Sequence, residues 1–294
     1  MKKHPILLGL IVFGVLLSFF LLSLFALSYF SSGGSIWGGE KVAIVEIKGV
    51  IIDPQPVVEN LVKLRKNENV KAIILRIDSP GGGVGPAQEI YGEVKKAKRE
   101  KKVLVSMGSV AASGGYYIAC AADRIMANPG SITGSIGVIL ESMDVEELLR
   151  KIGLRPMVVK AGKLKDIGSP LRPMTEEEKG LLQGVLDSVH DQFIRAVAEG
   201  RNLPVEKVRE LADGRIFSGD QAKTLGLVDE LGSLEDAISL AGKLAGIKGE
   251  PEVIYAEKKK FSLLDLLLQE TLHKILESWR ENSTLNLWYY GPSR

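Results

Sequence analysis

Short apolar runs of strand type alternate with helical stretches through the first half of the chain, and this alternation limits the fold more than any other feature. Residues 42–47, 72–77, 103–106 and 157–159 read as strands, the second of them nearly continuous in apolar character. Helical patterns fall between them, over about 57–66, 86–99 and 145–152. Strand and helix in alternation imply a parallel, right-handed βαβ sheet covered on both faces, with its binding loops at the carboxyl ends of the strands. The second half is mostly helical. Thr175 with Glu178, Ser218 with Gln221 and Ser233 with Asp236 are capping boxes, each opening a helix and carrying no chemistry. At 294 residues the chain has room for about two domains, or for one larger α/β domain with appendages.

Charge and composition narrow the function. The 38 basic and 36 acidic residues leave a net charge of +2, which excludes the basic excess of a nucleic-acid binder. A lone cysteine, Cys120, rules out internal disulfides and cysteine-rich zinc sites, and reads as a small buried apolar residue. Residues 6–30 form a run of 25 without a charge, longer than the apolar core of a cleavable signal. As a helix it would span about 37 Å, enough to cross a bilayer core of about 30 Å. Lys2 and Lys3 precede the run and no basic residue follows until Lys41, which orients the body outside the cytoplasm. The expected organisation is a cytoplasmic stub and anchor (1–30), a Gly/Ser tether (31–40), a catalytic body (41–250) and a C-terminal strand with an amphipathic helix (251–294). The chain is thus expected in the cell membrane as a single-pass protein with its N-terminus cytoplasmic.

Two glycine-rich blocks offer chemistry. Asp78 to Gly83 (DSPGGG) lies between a strand and a helix, where successive glycines let backbone N–H groups face a ligand. It is neither a phosphate loop nor a dinucleotide fingerprint, and by itself it serves equally as a turn. Met107 to Tyr117 (MGSVAASGGYY) places Ser113 at a strand-to-helix turn, where helix-terminal N–H groups favour developing negative charge. A serine there also serves simply as a helix cap. A nucleophilic serine needs a base, and no motif places His4, His190 or His273 beside Ser113. A lysine made neutral by desolvation is the remaining type of base, and Lys160, Lys163 and Lys165 are equal candidates by spacing.

Five ordered blocks carry a resemblance over about residues 42–241: DSPGGG (78–83), MGSVAASGGYYIA (107–119), PGSITGSIGV (129–138), GKLKDIGSP (162–170) and ADGRIFSGDQA (212–222). Together they resemble the short, one-domain form of the signal peptide peptidase A family. The resemblance implies a membrane-anchored serine peptidase on the Clp protease/crotonase α/β fold, a superhelix of ββα units. It implies Ser113 as nucleophile, Lys165 as general base, Gly82 as an oxyanion donor and Ser135 as the residue holding the lysine amine. The geometry of the turn adds the Gly114 N–H as a second donor. Remnant signal peptides are the implied substrates and a homo-oligomeric ring or dome the implied assembly, with no metal or cofactor. The rivals are an anchored peptidase acting on stomatin-like proteins, a crotonase-type acyl-coenzyme A enzyme and a non-catalytic scaffold.

Overall fold

The structure, a computed structural model, describes residues 13–24 and 39–256, and the chain divides into two compact units, residues 1–40 and 41–294. In the first unit a helix, α1, runs over residues 13–24 with its side chains exposed. Among the described residues no helix is long and apolar enough to cross a membrane. Residues 13–24 are the middle of the 6–30 run expected to span the membrane. The rest of the 6–30 run, the tether up to residue 38 and the amphipathic stretch after residue 256 lie outside the described residues.

The second unit opens with β1 (Lys41–Lys48), α2 (Gln55–Lys66), β2 (Val70–Ser79), α3 (Val84–Lys98), β3 (Lys102–Ala112) and α4 (Gly114–Ala119). It continues with β4 (Arg124–Ala127), β5 (Ile132–Gly134), α5 (Glu146–Lys151) and α6 (Glu176–Arg201). α7 (Val205–Leu211), β6 (Ile216–Ser218), α8 (Gly219–Thr224), β7 (Glu230–Leu231), α9 (Leu234–Leu244) and β8 (Glu252–Tyr255) complete it. The sheet runs β6-β5-β3-β2-β1-β8, with β4 joined to β3 and β7, and every pairing is parallel except β5 with β6. Both faces are covered, as the unbroken apolar strands require. Val42, Ile44, Ala72, Ile74 and Leu104 pack on Ala237, Ile238 and Ala241 of α9, while Val45, Leu75, Ile77 and Val105 share the larger core with α2, α3 and α6. The three capping boxes are all formed.

Two features of this frame bear on function. The β2–β3 register slips between Ile77 and Ser79, where the Asp78 carboxylate accepts the Val110 N–H at 3.1 Å. Beyond this irregularity β3 leaves β4 for β5, so its end at Ala112 lies beside Gly134. The expected strand at 157–159 is absent: the segment has no regular structure, and Met157 and Val159 are 90% and 94% exposed. Ile139, Met143, Leu148, Ile152 and Leu154 are further apolar side chains left exposed among the described residues.

α6 crosses α4 so closely that a Cβ on Gly200 would lie 1.9 Å from the Cys120 carbonyl oxygen. Gly200→Ala should therefore destabilise the fold, although alanine is the better helix former by about 1 kcal/mol. Overpacking of this kind costs about 1–3 kcal/mol. A lower melting temperature checks the sign, and an unchanged or raised one refutes it.

Candidate active site

The carboxyl ends of β2 and β3 bring the two glycine-rich blocks together. Ser79 Oγ donates to the Gly49 carbonyl at 2.6 Å and accepts the Gly81 N–H at 3.1 Å, tying the DSPGGG loop to the end of β1. Gly82 then forms an isolated parallel bridge with Ile51: the Ile51 N–H donates to the Gly81 carbonyl and the Gly83 N–H to the Ile51 carbonyl, both at 2.8 Å. The peptide groups on either side of Gly82 are thereby spent on Ile51, and the Gly82 N–H is left without a protein acceptor among the described residues. Only glycine fits, because a Cβ at residue 82 would lie 2.2 Å from the Ile51 carbonyl oxygen.

Ser113 follows Ala112 at φ 52° and ψ −122°, a conformation that a residue with a Cβ adopts only under strain. Its N–H donates to the Gly134 carbonyl at 2.9 Å, so the β3–β5 pairing holds the strained turn in place. The capping alternative fails here: Ser113 precedes α4, but its side chain makes no capping hydrogen bond. Gly114 opens α4, its N–H has no protein acceptor among the described residues, and a Cβ there would sit 3.4 Å from the Gly82 nitrogen. Two unspent backbone donors thus adjoin one strained hydroxyl-bearing residue.

Ser113, Gly82 and Ser135 line one cavity of about 540 Å³, together with Val84, Val138, His190 and Asp213. Ser135 is also held at positive φ, 49°, and its N–H donates to the Arg215 carbonyl at 2.8 Å. Arg215 in turn holds the Asp213 carboxyl down to about 2 through paired hydrogen bonds. Beside Ser113 a small apolar recess is walled by Val84, Ala87, Tyr117, Val138, Val189 and Phe193. Cys120 is buried, and burial pushes its thiol up to about 12, which leaves it inert.

Lys165 lines neither cavity. It sits exposed in a turn whose backbone is fixed by the Lys165 N–H on the Gly162 carbonyl at 3.2 Å and the Ile167 N–H on the Leu164 carbonyl at 3.1 Å. The structure separates the three candidate lysines in another way. Lys160 is paired with Asp166 and Lys163 with Glu177, whereas Lys165 has no ion-pair partner among the described residues.

Sequence reasoning passed over His190, which lines the Ser113 cavity with its Nε2 buried and without a partner among the described residues. The signal was available in the helix period: His190 precedes buried Phe193 and Ile194 by three and four residues, on the face of α6 that packs inward.

Residues 95–248 match the model of peptidase family S49, and residues 43–132 match that of Clp protease. A Synechocystis protein provisionally named a protease is 48% identical over 209 residues, 71% of this chain and 76% of its own. One from Methanocaldococcus jannaschii, also provisionally named a protease, is 38% identical and covers 74% of this chain and 75% of its own. An Enterococcus faecium protein provisionally named signal peptide peptidase SppA is 38% identical over 68% of this chain and 62% of its own.

Proposed function

Because this chain belongs to peptidase family S49 and is a serine peptidase, we propose that Ser113 is its nucleophile and that Lys165 from a neighbouring copy is the general base. The observation that carries the reading is Ser113 at φ 52° beside the unspent N–H groups of Gly82 and Gly114. The exposure of Lys165 fits a base supplied in trans. A neighbour's cleft closing over the exposed amine would strip its solvent away and favour the neutral form. The exposed apolar side chains of Met143, Leu148, Ile152, Leu154, Met157 and Val159 suit a face on which copies meet.

In this reading the neutral amine takes the Ser113 proton as Oγ bonds to the scissile carbonyl carbon. The resulting oxyanion rests on the Gly82 and Gly114 amides. The ammonium then returns its proton to the leaving amine, and water deacylates the enzyme by the same steps in reverse. Ser135 would hold the amine. The apolar recess suits apolar side chains, in keeping with remnant signal peptides as substrates. Anchoring in the membrane rests on the charge-free run of residues 6–30 alone.

A fluorophosphonate probe tests the reading: it should label the wild type and not Ser113→Ala. Labelling that survives the substitution overturns it. No labelling of the wild type favours a scaffold, and coenzyme A binding by calorimetry favours the acyl-transfer rival. Gly82→Ala should cost about 10²–10³ in kcat by lifting one donor off the oxyanion, read from steady-state cleavage of a fluorogenic peptide.

A further inference from the structure

We propose that Arg172 is the positioning residue for Lys165, its guanidinium tying the turn that carries the lysine to the start of helix α6. This rests on Lys165 being the base, and adds what aims it. Asp166, the next residue along, accepts Arg172 Nε at 2.8 Å and Nη2 at 3.0 Å, and is also bonded by Lys160. The far side of the guanidinium reaches Glu178: Nη1 donates to Oε2 at 2.8 Å and Nη2 to Oε1 at 2.5 Å. Two forks on one planar cation are a geometry that lysine cannot supply.

Glu178 is the fixed end of this chain of contacts. It is 3% exposed and completes the capping box of α6, accepting the Thr175 N–H at 2.9 Å. The same helix carries His190, Val189 and Phe193 along the walls of the Ser113 cleft. α6 therefore holds a wall of its own cleft and, through Arg172, the turn that presents Lys165 to another. An isolated surface ion pair contributes little, about 0–1 kcal/mol. A guanidinium forked onto two carboxylates, one of them buried, fixes direction instead.

The network stays charged wherever a lysine base works. Bonding from Arg172 holds the Glu178 carboxyl down to about 2 and Asp166 well below the usual carboxylate range. Both values lie below the unfolded ones near 4, so this contribution is complete above about pH 5 and is lost only as pH falls through the folded values. A change in the activity profile between about pH 6 and 10 cannot come from these carboxylates titrating.

Arg172→Met keeps the aliphatic stem and removes both forks. Its kcat/KM should fall about 10–100-fold, mostly in kcat, as the amine drifts from its line of approach. The alkaline limb should move to higher pH, because Asp166, left with Lys160 as its one cation, then favours the charged amine more. Arg172→Lys should recover part of the loss. Lys163→Met, which breaks a neighbouring ion pair and leaves the forks alone, should behave as wild type. Melting temperature and sedimentation should show the variants folded and assembled. If Arg172→Met does not fold, Asp166→Asn, which keeps the fork on Glu178, must show the same fall in kcat. Wild-type kinetics in the folded variant overturn the proposal, as does a loss matching the fraction unfolded with an unmoved pH profile. An active Lys165→Ala would instead overturn the base assignment itself, whereas an inactive one beside a wild-type-like Arg172→Met sinks the positioning role alone.

Discussion

Ser113→Ala is expected to lower kcat/KM by about 10⁶-fold, leaving the residual rate that backbone donors and binding alone support. The fold should be unaffected, because alanine keeps the Cβ and hence the same strained backbone at φ 52°. Ser113→Gly gives a contrasting result. It should be equally inactive yet melt higher, since a residue held in such a region stores about 1–3 kcal/mol that glycine does not pay. For a domain of this size each kcal/mol moves the midpoint by about 2–4 °C. Peptide turnover and thermal melts of the two variants side by side provide the check. More than about one percent of wild-type turnover in Ser113→Ala would remove this residue from the chemistry. A glycine variant melting below wild type would show that the turn is not strained.

Lys165→Ala is expected to be nearly as damaging, about 10⁴–10⁶-fold, because nucleophile and base act as one unit. A lysine base works only when neutral, so wild-type kcat/KM should climb toward alkaline pH, and a flat profile would count against it. Pairing across copies makes a stronger prediction. Ser113→Ala and Lys165→Ala chains, each inactive alone, should regain activity when co-assembled, since each supplies what the other lacks. In a random equal mixture about one site in four pairs an intact serine with an intact lysine. Recovery near that fraction supports pairing between chains. No recovery from mixed assemblies of confirmed composition would mean that the pair, if it forms, lies within one chain.

Much of the frame was legible in the sequence because it is local. Capping boxes at Thr175, Ser218 and Ser233 need only residues three apart, and the buried runs of β1 and β2 need only apolar β-branched side chains in succession. β3 proved longer than its apolar run, since Val110 to Ala112 extend it through pairing with β5 rather than through their own preference. Residues 157–159 looked like a buried strand for the same reason that 103–106 did. Apolar composition alone does not distinguish a segment covered by its own chain from one left open to solvent. The choice among Lys160, Lys163 and Lys165 was likewise closed to spacing. What separates them is their pairing with Asp166 and Glu177, six and 14 residues further along, which spacing alone does not foretell.

The burial of Cys120 has a practical consequence. The chain's only thiol is sealed beneath α6 and stays protonated, so maleimides and disulfide reagents will pass over the native enzyme. A cysteine introduced on the exposed surface around Met143 or Met157 would then be the sole reactive handle, with no background to subtract. Crosslinkers or fluorophores attached there would report, in working enzyme, whether copies meet on this side and at what distance.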